Sequence, residues 1–128
     1  MTDSPRALLD AARTLVTTSD TRMRFVWARA ATHLGRQALE AGLDQYWLAR
    51  GQPAISAAPM RAQLVCLPFY LDGELAHRVA WTWAALSQAG HHHGYEFAPA
   101  GSDLTAWLDV VGDMLDTVTA PVRSTSAH

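Results

Sequence analysis

The chain has 128 residues, of which 49% are hydrophobic and 17% charged, with a formal net charge of −2. That length fits one domain, residues 1–128, with a real core. The near-neutral charge excludes a surface basic enough overall to attract nucleic acid from every side, so any RNA contact must be local.

Apolar periodicity predicts helices throughout. Ser4 is an N-cap candidate and Pro5 suits the first helical position. A helix from Pro5 to Thr17 then carries the stripe Leu8, Leu9, Ala12, Leu15 and Val16. A long second helix is expected from Thr21 to Leu48, capped by Asp20. Its first stripe is Met23, Val26, Trp27, Ala30, Leu34, Ala38 and Ala41, followed by Leu39, Leu43, Tyr46 and Trp47. Gly51 and Pro53 should end it. A short helix is expected after Ser56, with Pro59 in its first turn and Pro68 kinking or ending it. Asp72-Gly73 is a break. The next helix, Glu74 to Ala89, turns Leu75, Val79, Trp83 and Leu86 inward. Ala98 to Gly101 reads as a turn, and the last helix, from Ser102 to Thr119, buries Leu104, Trp107, Leu108, Val111, Leu115 and Val118. Residues 124–128 read as a frayed tail.

No segment alternates with period two. The expected fold is all-α: an antiparallel bundle of four main helices plus a short extra helix. The few charges suit a protein that hides some surface in an oligomer. All ten cationic residues are arginine, which with the many alanines suggests a GC-rich, bacterial coding sequence. The single Cys66 lies in the apolar run Leu64 to Leu67 and reads as a small core residue. Asp3, Arg6 and Asp10 interrupt any leader-like apolar start, and no apolar run approaches the ~18 residues of a membrane span, so the expected location is cytoplasmic.

Function should concentrate at His91-His92-His93-Gly94-Tyr95-Glu96, where three of the six histidines adjoin at a helix end. Adjacent residues on a helix point about 100° apart, so the three cannot converge on one metal there. A metal site would have to combine one of them with His33 and His77. A plainer reading is a solvated helix end, its imidazoles favoured by the dipole and Gly94 closing the helix.

The segment Leu86 to Glu96 resembles the motif region of HEPN domains, in the branch that includes HepT-type toxins. There the motif is an arginine, usually a polar residue, three further residues, and His-x-Tyr. His93-Gly94-Tyr95 matches its second half, between the last two long predicted helices. The resemblance covers Trp83 to Val118; elsewhere only the helix order agrees. It implies a homodimeric toxin–antitoxin or defence domain that cleaves RNA without metal or other cofactor. In that chemistry a ribose 2′-hydroxyl attacks the adjacent phosphate, histidine moves the proton, and arginine neutralises the growing charge. The matching tyrosine, Tyr95, would be adenylylated by a partner nucleotidyltransferase acting as antitoxin.

The family's arginine aligns with Gln88 and its polar neighbour with Ala89. Glutamine donates a hydrogen bond but brings no charge, so activity is expected to be weakened or lost. Two rescues are open. Arg24, Arg29 or Arg61 could supply the cation from another helix. Alternatively a protonated His91 or His92 could do so while His93 acts as base. Candidate catalytic residues are therefore Gln88, His91, His92 and His93, with Tyr95, Glu96, Arg29 and His33 lining the site. Arg29 and His33 share a helix face at i and i+4, as do Arg36 and Glu40, the latter reading as a surface pair. A rival class is a non-catalytic interaction domain using Trp27, Trp47, Trp81, Trp83 and Trp107. Two or more of these exposed on one patch would favour it.

Overall fold

A computed structural model describes residues 4–17, 24–91 and 99–119. The fold is all-α. The described residues form α1 (Pro5–Thr17), α2 (Arg24–Ala49), α3 (Pro53–Ser56), α4 (Met60–Cys66), a 3₁₀ turn (Leu67–Phe69), α5 (Gly73–His91) and α6 (Gly101–Val118). Four of the six α-helices are long, from 13 to 26 residues. The two short ones differ from the single extra helix expected.

Local chemistry sets the boundaries. Ser4 caps α1, its Oγ accepting from the Ala7 amide at 3.1 Å. Helix α2 ends in a Schellman turn: Gly51 takes φ +70°, its amide donates to Leu48 O, and Gln52 N donates to Trp47 O at 2.8 Å. Pro53 opens α3, a turn the sequence reading passed over. Pro59 stands just before α4. Pro68 does end the α-helix, which tightens at Leu67 into the 3₁₀ turn. Asp72 caps α5 through its carboxylate and the Leu75 amide. Helix α5 was expected to stop at Ala89, but it continues through Gly90 to His91. One glycine costs only about 1 kcal/mol in a helix, too little to break this one. Helix α6 begins at Gly101, one residue early. The Asp20 cap, residues 21–23, Ala98 and the 124–128 tail lie outside the described residues.

Paired side chains give the directions of the helices. Arg6 bonds Asp116 at 2.7 Å and Arg13 bonds Asp109 at 2.9 Å, so α1 and α6 are antiparallel. Trp83 Nε1 donates to Glu40 Oε2 at 2.9 Å, while Leu86 lies beside Gly35, so α2 and α5 are antiparallel. Helices α2 and α6 instead run parallel: Leu108 lies over Gly35 and Leu115 over Gly42, seven residues on along both. The bundle is therefore not antiparallel at every contact.

Along α2 the expected second stripe, Leu39, Leu43, Tyr46 and Trp47, is buried, as are Trp27 and Ala38 of the first, but the other described residues of the first lie off the buried face. That face runs through Trp27, Ala28, Ala31, Gly35, Ala38, Leu39, Gly42 and Leu43. Val26 is 60% exposed, and Ala30 and Leu34 are only partly buried. The small residues face the large leucines of α5 and α6, so hydrophobicity alone misplaced part of the first stripe. In α1, α5 and α6 the expected faces hold, with Leu9, Val79, Leu86, Leu104, Leu108, Val111 and Leu115 fully buried. Cys66 is a free, partly buried cysteine packed against the core.

At the C-terminal end of α2, Trp47 is fully buried and its Nε1 donates to Gln63 Oε1 at 2.9 Å. The Gln63 amide donates onward to Ala58 O at 2.8 Å and Ser56 O at 3.2 Å. Ser56 Oγ also bonds the Asp44 carboxylate. These bonds hold α3 and α4 against α2 and so place Arg61 beside α5.

Candidate functional site

Two cavities, each of about 570 Å³, open around the C-terminal half of α5 and meet at Arg36. The first lies between α2 and α5; Arg29, His33, Arg36 and Gly90 line it together with Thr32 and the apolar Val26, Ala30 and Leu86. The second lies between α4 and α5; Arg36, Arg61, Trp83, Ser87 and Gln88 line it. Helical geometry explains the division. Gln88 and Gly90 are two residues apart, about 200° around the helix, so they face opposite flanks.

The stripe that carries the first cavity is Arg29, His33 and Arg36, at i, i+4 and i+7 along α2. His33 Nε2 lies 3.3 Å from Gln37 Nε2 one turn on. The face runs on to Glu40, whose Oε2 is 3.8 Å from Arg36 Nε. This pair is more than the surface contact expected. The Arg36 side chain is only 28% exposed, its Nε is buried with no hydrogen-bond partner, and Glu40 also accepts from Trp83.

The arginines divide by partner. Arg6, Arg13 and Arg78 are each matched to an aspartate of α6, at 2.7, 2.9 and 3.0 Å. Arg50 lies over the rings of Tyr46 and Tyr70. Arg29 and Arg61 have no acidic partner among the described residues, and Arg36 has only the long contact to Glu40. Among the arginines whose side chains are described, the under-paired ones line the two cavities. Among the described residues no carboxylate lines either cavity. The arrangement offers cation and donor groups to an anionic ligand.

Of the expected site residues, Arg29 and His33 come together in the first cavity, next to Gly90. Gln88 is exposed and opens on the second. Of the arginines named as substitutes, Arg61 lines the cavity of Gln88, Arg29 lines the other, and Arg24 begins α2. His91 closes α5. His92, His93, Tyr95, Glu96 and the closing glycine Gly94 lie outside the described residues. Sequence reasoning missed Arg36 and Ser87. The i+7 spacing from Arg29 was a signal for Arg36; nothing in the sequence marks Ser87.

The combination of His33, His77 and a cluster histidine does not suit one metal ion. His77 and His91 stand at opposite ends of α5, about 21 Å apart along its axis, whereas each ligand nitrogen must come within about 2 Å of the ion. Among the described residues no group of three or more His, Cys, Asp or Glu could hold a metal. Of the tryptophans, Trp27 and Trp47 are buried, Trp83 and Trp107 partly buried, and Trp81 is 61% exposed. No helix among the described residues is long and apolar enough to cross a membrane.

Comparison of the chain with protein-family models, with curated proteins and with solved structures gives no match.

Proposed function

We propose that the chain is a HEPN-like helical domain of a toxin–antitoxin or defence system, acting on RNA as a metal-independent endoribonuclease of reduced activity. The observation that carries this reading is the cavity of Arg29, His33 and Arg36 that reaches Gly90, directly before His91-His92-His93 in sequence. It offers the positive charge that Gln88 cannot. In this reading His93 takes the proton of a ribose 2′-hydroxyl as its oxygen attacks phosphorus. The bond from phosphorus to the 5′-oxygen breaks, and an adjacent imidazolium protonates the leaving oxygen. Arg29 and Arg36 lie against the phosphoryl oxygens that gain charge. A homodimer would bring two such sites together, and Tyr95 would be the position at which a nucleotidyltransferase antitoxin silences them.

The test is cleavage of single-stranded RNA by purified protein in excess chelator. His93→Ala and Arg29→Gln are each expected to slow it by about 100-fold. Equal cleavage by wild type and His93→Ala, or none by either, removes the ribonuclease reading.

A second reading, a non-catalytic dimerisation domain, is favoured by Val65 and Phe69, one turn apart and 72% and 86% exposed. If a second copy covers them, Phe69→Ser will shift the sedimentation profile from dimer to monomer without lowering the melting temperature. An unchanged profile excludes this face from the dimer.

A further inference from the structure

The cleavage reading touches the second cavity only through Arg36, which lines both; the side chains of Arg61, Ser87 and Gln88 play no part in that reading and have no hydrogen-bond partner among the described residues. Arg61 stands on α4, exposed, with no acidic partner among the described residues. Gln88 presents its side-chain amide from α5, and no described group bonds it. Arg36 reaches the same cavity from α2, its Nε unpartnered. Ser87 Oγ is buried without a hydrogen bond, so turning it toward the cavity by a rotation about χ1 breaks nothing. Trp83 forms an aromatic wall, its indole nitrogen held by Glu40. Two guanidinium groups, an amide and a hydroxyl thus surround a space that no carboxylate among the described residues lines, Glu40 contacting Arg36 and Trp83 from outside that lining.

An unsatisfied buried donor costs stability, and a guanidinium without a counter-charge gains from an anion; Arg61 has no acidic partner among the described residues and Arg36 only the 3.8 Å contact to Glu40. A ligand that meets both needs must be anionic and accept several hydrogen bonds. Arginine's planar fork matches phosphate oxygens, and tetrahedral phosphate can accept from donors on three helices at once. An acidic peptide fits less well, because a planar carboxylate meets one fork at a time.

We propose that the cavity between α4 and α5 is a phosphate-binding subsite, with Arg61 and Arg36 supplying charge and Ser87 and Gln88 supplying hydrogen bonds. The phosphate is either free or a backbone phosphodiester. The subsite shares Arg36 with the cleavage reading but is tested through Arg61 and Ser87, which that reading does not use, so its failure and that of the ribonuclease reading are separable.

The experiment is a nuclear magnetic resonance titration of the full ¹⁵N-labelled chain at constant ionic strength, chloride being exchanged for the ligand. One arm uses inorganic phosphate. The other uses a short oligoribonucleotide with every 2′-hydroxyl methylated, which cannot be cleaved. Saturable shifts are expected at the Gln88 side-chain amide and the Arg61 Nε–H. Arg61→Gln should weaken binding about tenfold and Ser87→Ala about fivefold, both with melting temperature unchanged or raised. Shifts with phosphate alone assign the site to a free phosphate or phosphomonoester ligand; tighter binding of the oligonucleotide assigns it to a nucleic-acid backbone. No saturable shift with either ligand, or equal binding by Arg61→Gln, overturns the proposal.

Discussion

Trp47→Ala is expected to lower folding stability by about 5 kcal/mol, the largest loss anticipated for any side-chain truncation in this chain. The indole is fully buried and packs edge-on against Tyr70, with ring centroids 5.0 Å apart. Truncating a buried tryptophan costs about 3–5 kcal/mol through lost contacts and the cavity left behind. Gln63 Oε1 also loses the donor at 2.9 Å, and an unsatisfied buried acceptor costs a further ~1–3 kcal/mol. Domains of this size are stable by only about 5–15 kcal/mol, so the variant should be marginal or unfolded at 37 °C. Trp47→Phe separates the two contributions. It keeps most of the packing and loses the hydrogen bond, so urea denaturation should show a drop of about 1–3 kcal/mol. A loss below about 1 kcal/mol for the alanine variant would falsify the packing described at this end of the bundle. The functional consequence lies with Arg61: α4 is tied to α2 through Gln63, so Trp47→Phe should also loosen the wall of the second cavity.

Helix existence was legible in the sequence because long stretches keep one apolar face, as α1 and α6 do. The four long helices alternate in direction along the chain, as short connections argue, and that alternation leaves α2 parallel to α6. How closely α2 and α6 pack was not legible, because the glycines that allow it carry no hydrophobic signal. For the same reason part of the first apolar stripe of α2 was misplaced, while Leu39, Leu43, Tyr46 and Trp47 are buried as expected: Gly35 and Gly42 count as gaps in a hydrophobic pattern yet mark close approaches to α6. Pro68 ended its helix as expected, whereas Pro59, expected inside a first turn, stands just before α4, and α5 runs past its expected end at Ala89 to His91.

The site was half legible. Arg29 and His33 could be paired from their spacing, and the rescue of Gln88 by arginines from other helices could be posed. Which arginines remain available is a tertiary property. Arg6, Arg13, Arg78, Arg29 and Arg61 look alike in the sequence, and only the packing of α6 shows that the first three meet aspartates. Arg36 was read as a surface pair because its neighbour at i+4 is acidic. In the folded chain that glutamate is shared with Trp83, which leaves the guanidinium under-satisfied between the two cavities.

The close approach of α2 and α6 yields the second large effect. At Gly42 a Cβ atom would sit 2.5 Å from Leu115 Cδ2 and 3.0 Å from Met114 Cε; at Gly35 it would sit 2.8 Å from Leu108 Cδ2. Gly42→Ala sets two terms against each other. Alanine gains about 1 kcal/mol of helix propensity, and the displaced leucine and methionine ends lose packing. Gly42→Leu removes the balance, since three more carbons must enter a space already closed to one. The expected cost is about 3 kcal/mol, measured by chemical denaturation. Leu115→Ala tests the cause. Alone it should cost about 2–5 kcal/mol as a cavity in the core. Combined with Gly42→Leu it should cost less than the sum, because the new side chain fills the space vacated; a coupling of at least ~1 kcal/mol is expected. Strict additivity would mean that the two helices do not meet at this register. The register matters to the site because α2 carries Arg29, His33 and Arg36 on the side away from these glycines. A residue that wedges α2 off α6 pushes that arginine face toward α5 and narrows the cavity beside Gly90.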